Sequence, residues 1–376
     1  MELRQDETIR VLCDGKEAFP AILSCIRNAK HSIEINMFIW RGDEIGNVIA
    51  REVLSAANRG VKVTIVKDRY GITCEYSEED QTSLFHETPT AYERATIHIL
   101  EWLYNRDLFG KEHTGRKDPL AVQLCTHPNI TVHCRETRKD HSKFYVFDDR
   151  TLIFGGINIE DKENGKDRAG RAYRDFMVQL DGEEYVTAFR NYRRSHVPCD
   201  WLAGNNKQAS FFDVKESYLN LIQSAEKELT ILMAYFSPLP EFVEAIEGAL
   251  DRGVRTRILI PARANFMDAV NHQTCRILYQ YANAHNRDLT VYLSPDMTHT
   301  KYLMNEQVIN LGSCNITKNA FQELDEMNYI HPNDDSAYAV RARMHAEAIL
   351  AEARQVKEEQ DLAVNRIMLG LEQLVM

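Results

Sequence analysis

An internal repeat constrains the fold of this chain more than any other feature. The segment HSKFYVFD at 141–148 sets a lysine two residues after a histidine and an aspartate at its end; HTKYLMNE at 299–306 keeps that rhythm and ends in glutamate. Self-similarity is read before local propensity, because missing it misassigns the whole fold.

The likeness extends far beyond the two motifs. Residues 22–40 and 218–236 each describe an amphipathic helix, a small polar patch (Asn28, Ala29, Lys30; Ser224, Ala225, Glu226) and an apolar, β-rich strand. Residues 48–68 and 243–262 each give a second amphipathic helix, an Arg-Gly-Val stop and another strand. Gly60 and Gly253 stand where a helix C-terminus favours a left-handed residue. Strands at 129–135 and 288–294 lead into the motifs, and GGIN at 155–158 and GSCN at 312–315 close the copies. The expectation is an α/β chain of two halves with the same element order, related by a pseudo-twofold axis.

One difference separates the halves. Gly60 to His141 is 81 positions, whereas Gly253 to His299 is 46, so the first half carries about 35 extra residues between 73 and 128. That insert is expected to form a helix with Ala95, Ile99, Trp102 and Leu103 on one face, followed by a polar stretch at 105–118. It reads equally as a lid or as a surface elaboration. The boundary falls near 197–210, where periodicity lapses, giving segments 1–200, 201–335 and a helical 336–376.

Composition narrows the setting. No run approaches the ~18 apolar residues that a membrane span needs, and MELRQDETIR is no signal peptide, so a cytoplasmic protein is expected, at most peripheral on a membrane. Eight cysteines without CxxC spacing suit reduced thiols better than disulfides or a zinc site. A formal net charge of −11 argues against a protein that coats nucleic acid.

The repeated residues suit phosphoryl chemistry. A neutral imidazole can attack phosphorus while a protonated one donates to the leaving oxygen, which requires two histidines at one phosphate. Each copy supplies one, His141 and His299. Residues two apart on a strand share a face, so Lys143 and Lys301 accompany them and can offset charge on phosphoryl oxygens. Asn158 and Asn315 follow small-residue turns and add neutral donors. The strands after them place Asp175 against Glu326, candidates for the carboxylates that orient the histidines. Asp148 and Glu306, at the far end of each motif strand, are expected to make structural hydrogen bonds. No metal or cofactor is called for.

These residues resemble the phospholipase D superfamily, marked by the paired His-Lys-Asp motif with a following Gly-Ser-x-Asn type segment. The likeness spans roughly Val11 to Pro332 and is greatest to the cardiolipin synthase branch. It implies a mixed sheet flanked by helices in each half, an active site between the halves and a phosphohistidine intermediate. It also implies His141 as nucleophile and His299 as general acid, later base, an order that the near-symmetry of the halves leaves open. Two positions depart from the pattern: Glu306 replaces Asp, and Gly156 replaces Ser, which puts a secondary phosphate contact in doubt.

The expected activity is transfer of a phosphatidyl group from phosphatidylglycerol or another phospholipid to an alcohol such as glycerol or phosphatidylglycerol, giving cardiolipin-type lipids. Hydrolysis of phospholipids with water as acceptor, a nuclease, and a scaffold without activity are the competing readings. Three local features bear on this. The basic loop at 162–174 could guide an anionic headgroup. Residues 37–40 read as core rather than as a lipid-facing patch. The apolar C-terminal segment 361–376 reads as packing or homodimerisation rather than as a bilayer anchor, since it holds one arginine and no lysine.

Overall fold

The computed structural model describes residues 8–78, 82–104, 118–165, 167 and 170–375. Its motif strands set the architecture. All five residues of Lys143–Phe147 and all five of Lys301–Asn305 are buried, the pattern of a strand covered on both faces. Each therefore runs through the middle of a sheet.

The first sheet has seven strands, in the spatial order Ile9–Cys13, Phe176–Asp181, Thr151–Gly155, Lys143–Phe147, Ser32–Met37, Lys62–Lys67 and Ile130–His133. The last three are mutually parallel, as their helical crossovers require, and the others pair antiparallel. In the second sheet Leu202–Asn206, Glu326–Pro332, Val308–Gly312, Lys301–Asn305, Glu228–Met233, Arg255–Pro261 and Leu289–Ser294 repeat that order, with short edge strands Phe211–Phe212 and Arg354–Gln355 added. The chain is thus α/β, with two mixed sheets of matching topology.

Apolar side chains alternate to both faces of these sheets and build three main cores. Helices Asp14–Asn28 and Glu44–Asn58 cover the outer face of the first sheet, with Ile22, Ile49 and Val53 against Ile33, Ile35 and Val63. Helices Asp213–Ser224, Pro240–Asp251 and Asp268–His285 do the same for the second. Between the sheets lies a shared core in which Phe154 meets Tyr329 and Phe176 stacks on Tyr302, with ring centroids 6.2 and 5.5 Å apart. This core joins the halves into one body.

The turn between first helix and central strand is held the same way in both halves. Gly60 and Gly253 adopt φ of +98° and +85°, the left-handed conformation that ends a helix. The arginines before them reach back: Arg59 donates to the carbonyls of Ile26 and Arg27, each at 3.0 Å, and Arg252 to those of Ile222, Gln223 and Ala225. From the other side Asp148 accepts the backbone N–H groups of Lys30, His31 and Ser32 at 2.7–2.9 Å. Glu306 accepts those of Glu226, Lys227 and Glu228 at 2.9–3.3 Å. The repeated Arg-Gly-Val and the terminal motif acid are therefore two clamps on one turn.

Several expectations need correction. Helix Ala91–Tyr104 of the insert buries Glu93, Ile97, Glu101 and Leu103, while Ala95, Ile99 and Trp102 are exposed. Ion pairing sets that register: Glu93 binds Arg69 at 2.7 Å and caps the helix start through Thr90, so an acidic residue points inward. The polar stretch at 105–117 lies outside the described residues.

The region 197–210, where periodicity lapses, contains the strand Leu202–Asn206, which pairs antiparallel with Glu326–Pro332. Its polar sequence, LAGNN, hides a strand from periodicity. The C-terminal segment is not purely helical. After helix Ala337–Glu352 comes the edge strand Arg354–Gln355, then helix Arg366–Val375 against Asp268–His285, where Glu372 accepts the N–H of Val270 at 3.0 Å. Among the described residues no helix is long and apolar enough to cross a membrane.

Candidate active site

Two short backbone bridges decide what the motif histidines face. Asp140 bridges to Asp325, with the N–H of His141 donating to the Asp325 carbonyl at 2.8 Å, so His141 arrives beside Glu326. Met297–Thr298 pairs in parallel with Tyr173–Arg174, which brings His299 beside Asp175. Each segment before a histidine thus pairs with the segment before the other half's acid. The carboxylates cross over.

At the first unit, His141 Nδ1 lies 3.0 and 3.2 Å from the two oxygens of Glu326. Ser313 donates its hydroxyl to Glu326 and accepts the N–H of Met327 at 3.0 Å. Phe38 packs edge-on against the imidazole, with ring centroids 4.7 Å apart. At the second unit, His299 Nδ1 lies 3.0 Å from Asp175 Oδ2 and 3.2 Å from Glu163 Oε1. All five of these residues are less than a tenth exposed.

The lysines sit between the units. Lys143 is fully buried and donates to the carbonyl of His141 at 2.6 Å; Lys301 donates to the carbonyl of His299 and lies 3.5 Å from Asp175 Oδ2. Burial pushes Lys143 down to about 8 despite the field of Glu326, and it lowers Lys301 as well. Desolvation, then the neighbouring charges of Lys143 and Lys301, hold His141 well below its usual range. Glu326 is lifted to about 8 by burial, against the pull of Lys143.

The remaining residues divide. Asn158 is buried and accepts the N–H of Ile39 at 3.3 Å, next to Phe38, while Asn315 Oδ1 is buried without a hydrogen-bond partner among the described residues. Asp148 and Glu306 stand apart at the turns described above. Met37, Phe38, Ile39 and Trp40 are all buried, as core rather than a lipid-facing patch.

Gly156 has a reason different from the expected one. The hydroxyl at the matching place in the second half, that of Ser313, grips Glu326 and not a phosphate subsite. In the first half a Cβ at Gly156 would lie 2.2 Å from Asp175 Oδ2, so the shorter acid occupies the space that a side chain would need.

Glu163 escaped the sequence reading because nothing repeats it. It stands five residues after Asn158, and the fifth residue after Asn315 is Ala320. Of the basic loop at 162–174, Lys166, Arg168 and Ala169 lie outside the described residues. Lys162 is engaged by Glu78 at 2.5 Å and Glu160 at 3.3 Å, in a buried network with Arg41. Arg171 pairs with Asp167 at 2.8 Å.

A cavity of about 510 Å³ adjoins the second unit through Tyr173, whose ring centroid is 6.1 Å from that of His299. Lys162, Arg171, Arg263, Asn265 and His272 are among its polar walls, and Tyr104 of the insert and Glu372 of the last helix close it.

Two mixed sheets sharing paired, carboxylate-backed histidines and lysines give the architecture of phospholipase D-like enzymes. The family model described as "Cardiolipin synthase, PLD-like domain" matches residues 22–195 and 218–347, and the chain belongs to that family. It is 24% identical to cardiolipin synthase B of Escherichia coli, over 94% of this chain and 83% of that protein. To cardiolipin synthase A of Pseudomonas fluorescens it is 23% identical, over 96% and 72% respectively. The crystal structure of phosphatidylserine synthase from Haemophilus influenzae superposes with a TM-score of 0.71 at 16% identity, covering 99% of this chain and 92% of that one, which shows the shared fold.

Proposed function

We propose that the protein moves a phosphatidyl group from phosphatidylglycerol, or a related phospholipid, to an alcohol acceptor, forming cardiolipin-type lipids through a phosphohistidine. The observation that carries this reading is the crossed pair of histidine–carboxylate units, His141 with Glu326 and His299 with Asp175. Each unit needs both halves, so the chemistry belongs to the seam between them.

In the first step His141 Nε2 attacks phosphorus, the bond to the glycerol oxygen breaks, and His299 Nε2 protonates that oxygen. As the ring of His141 becomes cationic, Glu326 accepts the hydrogen bond of its Nδ1–H. Lys143 and Lys301, with the amides of Asn158 and Asn315, stabilise the equatorial oxygens. In the second step His299 takes the proton of the acceptor hydroxyl, the acceptor oxygen bonds to phosphorus, and the phosphorus–nitrogen bond breaks. No step in this scheme requires a metal or a cofactor.

Three observations support an alcohol rather than water as acceptor. The two relatives described above are named cardiolipin synthases. The family model carries the same description. The polar cavity beside His299 falls in the size range of small-molecule sites, and we assign the acceptor headgroup to it.

The test is product analysis. Purified protein is incubated with phosphatidylglycerol vesicles and EDTA, and the lipids are followed by mass spectrometry. Cardiolipin with free glycerol is the expected outcome; phosphatidic acid alone would make the protein a hydrolase and overturn the transfer reading.

A further inference from the structure

The halves match closely around the motifs, yet the backs of their histidines differ. His141 faces one carboxylate, that of Glu326, whose position is held by the Ser313 hydroxyl. His299 faces two, Asp175 at 3.0 Å and Glu163 at 3.2 Å. The second half has no counterpart to Glu163, because Ala320 stands at the matching distance from Asn315.

Among the described residues Glu163 has no other partner that would explain its burial. It is 2% exposed, and neither carboxylate oxygen has a hydrogen-bond partner among the described residues. A buried carboxylate is costly unless paired, and among the described residues the cation-forming group beside it is His299, at 3.2 Å.

The placement is also well determined. Helix Asp161–Asn164 follows Glu160, which binds Arg41 Nε at 2.6 Å, and Lys162 is pinned by Glu78. On the other side the first helix packs through Gly15, where a Cβ would lie 2.2 Å from the Glu163 carbonyl oxygen. The lack of a side chain at Gly15 lets the Glu163 backbone approach.

We propose that Glu163 is a positioning residue for His299, a second carboxylate facing Nδ1 that makes this histidine the proton carrier while His141 accepts the phosphatidyl group. The inference rests on the transfer reading for the roles of the two histidines, and on the geometry alone for the pairing.

Several charged groups share the neighbourhood of Glu163. His299, Asp175, Glu160, Lys143, Lys301 and Tyr173 act on it or are acted on by it, and Asp14 of the packed first helix binds the N–H of Asp175 at 3.1 Å. Burial raises Glu163, and the fields of Glu160 and Asp175 add to that rise while His299 opposes it. Two carboxylates at one nitrogen do not both ionise readily unless the ring between them is cationic.

The test substitutes Glu163→Gln, which keeps shape and removes charge, with Glu163→Asp as the conservative comparison. Heteronuclear NMR follows the ring protonation of His299 in the intact chain, assigned by its loss in His299→Asn. The expected result is that His299 gives up its ring proton at a pH lower by on the order of one unit in the Gln variant, with partial recovery in the Asp variant. An unchanged midpoint in a folded Gln variant would overturn the proposal. Because this readout needs no substrate, it stands apart from the lipid assay: absence of cardiolipin in the wild type would defeat the transfer reading, and a shifted midpoint would still support the pairing.

Discussion

His141 and Glu326 illustrate how burial tunes single residues here. Both are moved toward their uncharged forms. The Glu326 shift also has a consequence for stability. In the unfolded chain its carboxyl ionises near the ordinary value of 4.5, whereas in the fold it keeps its proton up to about 8. A raised folded value stabilises the fold at low pH, and that contribution is lost as pH rises through 8. Thermal melts from pH 5 to 9 should show Glu326→Gln gaining on the wild type as pH rises, while its turnover falls by on the order of 10²-fold or more. A Gln variant that tracks the wild type at every pH would contradict this.

Still at this scale, Gly156→Ser restores a hydroxyl but places its Cβ 2.2 Å from Asp175 Oδ2. The acid must move, and His299 loses one of its two carboxylates. Turnover should drop by on the order of 10²-fold with little change in KM, as expected of a misplaced catalytic group. Residue chemistry was legible in the sequence wherever both halves repeat it: the histidines, lysines, asparagines and the two acids. Glu163 was not, because repetition reveals only what has a counterpart.

Elements carry the scaffold that aims these groups. The helix-to-strand turn at 28–32 is gripped by Arg59 from one side and Asp148 from the other. Three charge-assisted backbone bonds leave with Asp148→Ala, and the loss should destabilise the protein by about 2 kcal/mol. Chemical denaturation measures that, and rate per folded molecule should stay near the wild-type value because no reacting atom is touched. A specific loss of turnover without loss of stability would show that Asp148 belongs to the site after all.

Element order was readable from hydrophobic period and from the paired Arg-Gly-Val stops. Two kinds of element were not. Leu202–Asn206 has the polar composition of a loop and becomes a strand only by pairing with Glu326–Pro332. Helix Ala91–Tyr104 turns Glu93 inward because Arg69 and Thr90 wait there, and an apolar-face rule cannot anticipate such partners.

At the scale of the whole molecule, the duplication becomes a mechanism. Sequence repetition implied two contributions to one site, but it could not say that each histidine would take its carboxylate from the opposite half. That crossing depends on the bridges Asp140 to Asp325 and Met297–Thr298 to Tyr173–Arg174, which form only when the two sheets are packed together. It makes the halves interdependent for chemistry and for stability, since the core of Phe154, Phe176, Tyr302 and Tyr329 lies on the same seam.

The division of labour between the halves is tested most directly by trapping the intermediate. In a His299→Asn variant, a phosphodiester with a p-nitrophenyl leaving group needs no acid for the first step, while the second step lacks its base. The covalent adduct should therefore accumulate, and peptide mass spectrometry after alkaline quenching should find it on the peptide containing His141. An adduct elsewhere, or release of nitrophenol at the wild-type rate with no adduct, would contradict the account of His141 as nucleophile and His299 as its partner across the seam.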